Sequence, residues 1–123
     1  MRRRSSTLTE HELEIMKIVW LHDSSTVRDV YEALLEKRKV AYTTVMTMMK
    51  VLETKKYLKK TQADRAYVYR PAQPQRQVIG AMVRDFVNRV FNGSAEPLLA
   101  HLVEEHDLSR EDLEEIARLR SKP

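Results

Sequence analysis

Residues 41–71 read AYTTVMTMMKVLETKKYLKKTQADRAYVYRP, and two different periodicities meet inside them. Val45, Met48, Met49 and Leu52 recur at helical spacing, which predicts a helix from Tyr42 or Thr43 to about Lys55. Its opposite side carries Thr43, Thr44, Thr47 and Lys50. From Ala66 to Arg70 the pattern changes to strict alternation, with Tyr67 and Tyr69 on one side, the signature of a half-buried strand. Tyr57 to Thr61 is the matching strand, and Gln62 to Arg65 is the expected connection. The segment therefore predicts a helix followed by a small β-hairpin, closed by Pro71 and Pro74.

Upstream, two helix starts are spelled out locally. Leu8, Thr9, Glu12 and Leu13 combine a capping box with a hydrophobic staple, and Leu13, Ile15, Met16, Ile18, Val19 and Trp20 give a wide apolar stripe running to about Asp23. Trp20 is expected in the core. Thr26 and Asp29 form a second capping box, and Val27, Val30, Tyr31, Leu34 and Leu35 mark the buried face of the helix they open. That helix ends at the basic cluster Lys37, Arg38, Lys39. Met48 and Met49 read as gap-filling core.

Downstream, Gln75 to Phe91 predicts one long helix with apolar residues at Val78, Ile79, Met82, Val83, Phe86, Val87, Val90 and Phe91, stopped by the C-cap signal of Asn92 and Gly93. Two shorter helices follow. One runs from Glu96 to about Glu105 with Leu98, Leu99, Leu102 and Val103 inside. The other runs from Ser109 to about Ser121 with Leu113, Ile116 and Ala117 inside, and Leu108, Ser109, Asp112 and Leu113 repeat the staple and box. About fifty residues in three helices rarely hold a core alone, so the expected partner is a second copy of the chain. Ile79, Met82, Val83, Phe86, Val90, Leu98, Leu102, Leu113 and Ile116 are the expected dimerisation residues. The domain boundary is expected near Pro71 to Pro74, giving a domain of residues 1–72 and a helical domain of residues 73–123.

Composition narrows the function. The 123 residues carry 22 Lys and Arg against 18 Asp and Glu, a net charge of +4, with no Cys and two Gly. That charge is unevenly spread. Residues 1–70 hold 15 basic and 9 acidic side chains, whereas residues 71–123 hold 7 and 9. Between Lys37 and Arg70 the balance is +8, the electrostatic footprint of a phosphate-binding face. Without Cys there are no disulfides, thiolate metal clusters or cysteine nucleophiles. With glycine only at Gly80 and Gly93, no Gly-rich phosphate loop or nucleophile elbow can be written. His11, His22, His101 and His106 are scattered, so no metal site or other cofactor and no catalytic activity is expected. No apolar run approaches the ~18 residues needed to span a bilayer. The basic start at Arg2 to Arg4 leads into Ser5, Ser6 and Thr7 rather than an apolar signal core, so a cytoplasmic protein without membrane insertion is expected.

Three helices followed by a hairpin, with short polar side chains on the third helix and basic ones on the hairpin, is the order of a winged helix-turn-helix. Base edges lie deep in the major groove while phosphates line its rim, so a recognition helix needs small donors and acceptors such as Thr43, Thr44 and Thr47. A branched side chain lowers helix propensity, which makes three threonines within five residues a poor choice for a merely solvated face. Lys50 and Tyr42 lie within reach of guanine or backbone, and Lys59, Lys60 and Arg65 on the hairpin, with Arg3 in the N-terminal arm, are set for phosphates or a minor groove. The competing class is a protein-interaction adaptor whose basic face takes an acidic partner.

The ordered set Leu8-Thr9-x-x-Glu12-x-x-Ile15-Met16-x-x-x-Trp20, Thr26-Val27-Arg28-Asp29-Val30, Ala41-Tyr42-Thr43-Thr44-Val45-x-Thr47 and Ala66-Tyr67-x-Tyr69-Arg70-Pro71 resembles the penicillinase repressor family, the repressors of beta-lactamase and methicillin-resistance genes. Phe91-Asn92-Gly93-Ser94 and Asp107-Leu108-Ser109 continue the resemblance. It implies a homodimeric transcriptional repressor with a winged helix on palindromic operators of TACA/TGTA type and a C-terminal helical dimerisation domain. Thr43, Thr44 and Thr47 then fall on the recognition helix and Arg65 on the wing. In well-known members a membrane sensor of beta-lactam triggers cleavage in the second domain. Three departures stand out: Val51 precedes Leu52 where an Arg is usual, Lys56 follows Lys55 where a Gly is usual, and His101-Leu102 occupies the place of the scissile Asn-Phe pair. Copper-responsive relatives carry C-terminal cysteines, which this chain lacks.

Overall fold

The computed structural model describes residues 7–119. Its elements are α1 (Glu10–His22), α2 (Val27–Leu35), α3 (Tyr42–Thr54), β1 (Leu58–Ala63), β2 (Ala66–Pro71), α4 (Gln75–Val90), α5 (Ala95–His106) and α6 (Arg110–Leu119). The protein is mainly α with one small antiparallel hairpin. It divides into two compact units, one ending at Ile79 and the other beginning at Gly80, so the division falls within α4.

In the first unit the helix starts follow from local chemistry. Thr9 Oγ1 accepts from Glu12 N at 3.1 Å while Glu12 Oε1 accepts from Thr9 N at 2.9 Å. Thr26 and Asp29 make the same reciprocal pair at 3.0 Å each way. Each box satisfies two N–H groups that a helix start leaves without partners, so register is fixed before any tertiary contact forms. The apolar stripes these starts aim inward then close one core: Ile15, Met16 and Val19 from α1, Val30 and Leu34 from α2, Val45, Met49 and Leu52 from α3, and Leu58 and Tyr69 from the hairpin. Trp20 sits at the edge of this core, not inside it, because its indole Nε1 donates to the Gln73 carbonyl at 3.1 Å. An indole N–H inside the core would have no acceptor.

The hairpin is tighter than its sequence suggests. β1 and β2 pair from Leu58 opposite Pro71 to Ala63 opposite Ala66, so the turn is only Asp64 and Arg65 instead of Gln62 to Arg65. Asp64 takes φ +55°, a left-handed conformation that Asp tolerates better than most residues. A third strand-like contact has no counterpart in the sequence reading. Ser25 N donates to Tyr69 O at 2.9 Å and Tyr69 N to Ser25 O at 2.8 Å, which ties the turn between α1 and α2 to the hairpin.

After α3 the chain turns at Lys56 with φ +72°. The left-handed turn that a glycine usually provides is therefore kept by a lysine, held where Tyr57 N donates to Leu52 O at 2.9 Å and Gln73 Nε2 donates to Lys56 O at 2.9 Å.

The second unit is built differently. After α4 the chain turns at Asn92 and Gly93, both at positive φ, with Gly93 N returning to Val87 O at 3.1 Å. Phe91 meets Phe86 edge-on at 5.8 Å and the His101 ring at 5.9 Å. Ser109 and Asp112 complete the third reciprocal capping box, at 2.8 and 3.0 Å. The expected interior of α5 and α6 is absent from the single chain: neither helix has a buried residue, and Leu99, Leu102, Leu113 and Ile116 are all exposed. Two short helices and part of a third enclose too little volume to cover both rows of apolar side chains.

Candidate nucleic-acid interface

α3 presents two faces with opposite roles. Val45, Met49 and Leu52, separated by steps of four and three, are fully buried and anchor it on α1 and α2. Thr43, Thr47 and Lys50, separated by the same steps, line the outer face and are exposed, as is Thr44 about 100° round the helix from Thr43. Met48 and Met46 are partly buried between the two faces. The helix starts at Ala41 without a side-chain cap, in contrast to α1 and α2. Thr44 N turns back to Ala41 O at 3.1 Å, which leaves the N–H groups of Tyr42 and Thr43 without a side-chain cap at this helix start.

The N-terminal end of α3 is braced by aromatic contacts. Tyr42 meets Tyr31 of α2 edge-on at 5.3 Å, and the Arg28 guanidinium lies 5.7 Å from the Tyr42 ring centre. Arg28 is in turn 3.5 Å from Glu32. Such a bracket holds the ring by its electron-rich face and edge while leaving the tyrosine partly exposed.

The +8 cluster of the sequence is sorted by the fold into exposed and paired cations. Lys55 Nζ lies 2.8 Å from Glu12 Oε1, Arg38 Nη2 lies 2.7 Å from Glu14 Oε1, and Arg70 lies 3.7 Å from Asp23. Strand alternation divides the two hairpin lysines. Lys60 lies over Tyr67 at 4.6 Å and Tyr69 at 6.0 Å, and 3.8 Å from Glu53 of α3, so its charge is largely used within the unit. Lys59 points to the other side, where it lines a cleft of about 490 Å³ with Trp20, Asp23, Arg70 and Gln73. Arg65 is exposed at the hairpin tip, and Lys50, Lys56 and Lys59 are exposed as well. Arg3 lies outside the described residues.

The carboxylates that neutralise the paired cations are tuned accordingly. Burial alone would raise the Glu12 carboxyl, but hydrogen bonds from Lys55 and Thr9 and the Lys55 charge together hold it below the usual carboxylate range. The hydrogen bond from Arg38 lowers Glu14, against a smaller opposing effect of burial. Burial raises the hydroxyls of Tyr57 and Tyr69.

The expected dimerisation residues divide in the structure. Val83, Phe86, Val90, Leu102, Leu113 and Ile116 are exposed, and Ile79, Met82 and Leu98 are partly buried. His101 and Leu102 both lie within α5. Among the described residues no group of three or more His, Asp or Glu is placed to hold a metal ion, and no helix is long and apolar enough to cross a membrane.

Comparison with known proteins agrees with this architecture. The profile of the penicillinase repressor family matches residues 8–122. The chain belongs to the penicillinase repressor family. It is 28% identical over 112 residues to the penicillinase repressor of Bacillus licheniformis, covering 91% of this chain and 88% of that one. It is 35% identical over 99 residues to the transcriptional regulator BlaI of Mycobacterium tuberculosis, covering 79% of this chain and 72% of that one. Among solved structures, the DNA-binding domain of the repressor BlaI matches with a TM-score of 0.53 at 27% identity, over 60% of this chain and 90% of that domain. A monomeric BlaI in complex with the blaP half-operator matches with a TM-score of 0.51 at 29% identity, over 56% of this chain and 84% of its own. These relatives are regulators, not enzymes, and the matched domain is a winged helix-turn-helix.

Proposed function

We propose that this protein is a sequence-specific DNA-binding repressor that acts as a homodimer on palindromic operators, with beta-lactam-resistance or related stress genes as its targets. The observation that carries this reading is the exposed row of Thr43, Thr47 and Lys50 on a helix whose other face is wholly buried in a winged-helix unit. α3 enters the major groove. Thr43, Thr44 and Thr47 offer hydroxyls and methyls to base edges, and Lys50, one turn on, reaches a guanine or a phosphate where the family's usual Arg is replaced by Val51. Tyr42 packs on the sugar-phosphate backbone from its bracket of Tyr31 and Arg28. Lys59, Arg65 and Arg3 neutralise flanking phosphates, with Lys60 contributing chiefly by stiffening the hairpin. Membership of the family and the likeness to an operator-bound BlaI support these roles.

A palindrome needs two such helices about 34–36 Å apart, which a dimer through the exposed apolar rows of α4, α5 and α6 supplies. The repressor works in the cytoplasm, where its operators are. The sensor-protease route of the family meets an obstacle here, because the His101–Leu102 bond is inside α5 and a protease needs an extended substrate. Cleavage there requires α5 to open first.

The test is selection of a binding site from random duplexes at two salt concentrations. A palindrome should emerge, with affinity falling steeply as salt rises. Selection of no sequence at either salt would defeat the repressor reading and leave the adaptor. Thr47→Ala should then weaken operator binding by about 1–3 kcal/mol and random-duplex binding much less, as loss of a base contact requires. Equal losses on both would mean that the threonine only positions the helix.

A further inference from the structure

Lys55 belongs by position to the basic cluster, but its side chain does not face the way Lys50 does. It follows Val45, Met49 and Leu52 by another step of three and so continues the inward edge of α3. Its Nζ donates to Glu12 Oε1 at 2.8 Å, to Glu12 Oε2 at 3.1 Å and to the Thr7 carbonyl at 3.1 Å. The ammonium is thereby held by one carboxylate and one carbonyl, and the side chain is only 19% exposed. Glu12 is itself 6% exposed and simultaneously closes the capping box of α1. One carboxylate thus joins the first turn of α1 to the C-cap of the recognition helix.

We propose that the Glu12–Lys55 pair is a positioning device that sets the tilt of α3 and hence its sequence selectivity, and that Lys55 is a positioning residue, not a phosphate ligand. This rests on the DNA-binding reading above. The 13 residues of α3 form a rod about 20 Å long, so a tilt of about 5° about its Tyr42 end displaces the far end by roughly 1.7 Å and Thr47 by roughly 0.7 Å. The short Thr47 side chain cannot follow such a movement, whereas the long stems of Lys50 and Lys59 reach phosphates across it. Loosening the C-terminal anchor therefore degrades base reading and spares non-specific attraction. At the other end of the rod, the Tyr42–Tyr31 contact is left intact.

The variants are Glu12→Gln, Lys55→Met and Lys55→Arg. Glutamine still closes a capping box, so Glu12→Gln removes the charge and keeps the helix start. Binding to the selected operator and to a random duplex is measured at several salt concentrations, below the melting temperature of each variant. Glu12→Gln and Lys55→Met should each raise the operator Kd about tenfold, comparable to one weakened base contact. The random-duplex Kd should stay within about twofold and the salt slope should not change, because no phosphate contact is lost. Lys55→Arg, which keeps the charge and the donors, should bind the operator nearly as the natural chain does. Loss on both duplexes with a salt slope smaller by about one for Lys55→Met would make Lys55 a phosphate contact and overturn the proposal. Unchanged operator binding by Glu12→Gln would overturn it too, reducing the pair to a structural one. If the natural chain itself prefers no sequence, the repressor reading fails along with it, an outcome visible before any variant is made.

Discussion

The two units of this chain solve the same problem, covering apolar helix faces, in opposite ways. In the first, ten side chains from three helices and a hairpin close on one another, and Glu12 is buried against Lys55. In the second, α5 and α6 have no fully buried residue, and Val83, Phe86, Val90, Leu99, Leu113, Ile116 and Leu119 remain exposed. Capping does not explain the contrast, since Ser109 and Asp112 start α6 as well as Thr9 and Glu12 start α1. The difference lies in tertiary closure. A unit with a hairpin to lay across its helices can finish its own core, whereas short helices alone need a second surface.

The sharpest way to break this contrast is to damage each unit where it is supposed to depend on different things. Leu52 is fully buried between α1, α2 and the hairpin. Leu52→Ala should therefore cost the first unit about 2–5 kcal/mol in a urea melt, and the loss should not depend on protein concentration. Phe86→Asp should do the reverse. Placing a charge in the proposed dimer surface should weaken the dimer by about 2 kcal/mol or more, roughly thirtyfold in Kd by analytical ultracentrifugation. The first unit's melt should be untouched. A dimer that survives Phe86→Asp would move the interface away from α4 and leave the exposed rows of α5 and α6 to be covered by something else.

The same contrast explains what could be read from the sequence. Features decided within three or four residues were legible: the reciprocal boxes at Thr9, Thr26 and Ser109, the helical stripe of Val45, Met49 and Leu52, and the strand around Tyr67 and Tyr69, although only Tyr69 is buried and Tyr67 is exposed. Features decided across the chain were not. Trp20 finds its acceptor 53 residues away, Lys55 finds Glu12 at a separation of 43, and Ser25 pairs with Tyr69. A charge count cannot separate Lys55, which is neutralised, from Lys50, which is exposed, although the helical spacing held the clue: a lysine in step with Leu52 must meet a carboxylate. The apolar rows of α5 and α6 were legible as rows, but periodicity cannot say whether their cover comes from the same chain or another.

A finer test concerns a place where the first unit tolerates strain instead of avoiding it. Lys56 holds φ +72° without the glycine that would adopt it freely. Left-handed backbone costs an L-residue about 1–2 kcal/mol, and glycine loses roughly 0.5–1 kcal/mol more entropy on folding. Lys56→Gly should therefore stabilise the first unit by about 0.5 kcal/mol, the difference of those two effects. The hydrogen bond from Gln73 uses the Lys56 carbonyl and survives the change. A urea midpoint that rises, together with a DNA salt slope smaller by about one, would show that lysine is kept here for its charge at the expense of stability. A midpoint that rises with an unchanged slope would mean that Lys56 meets no phosphate, and would leave Lys50, Lys59 and Arg65 as the phosphate-binding candidates of α3 and the hairpin.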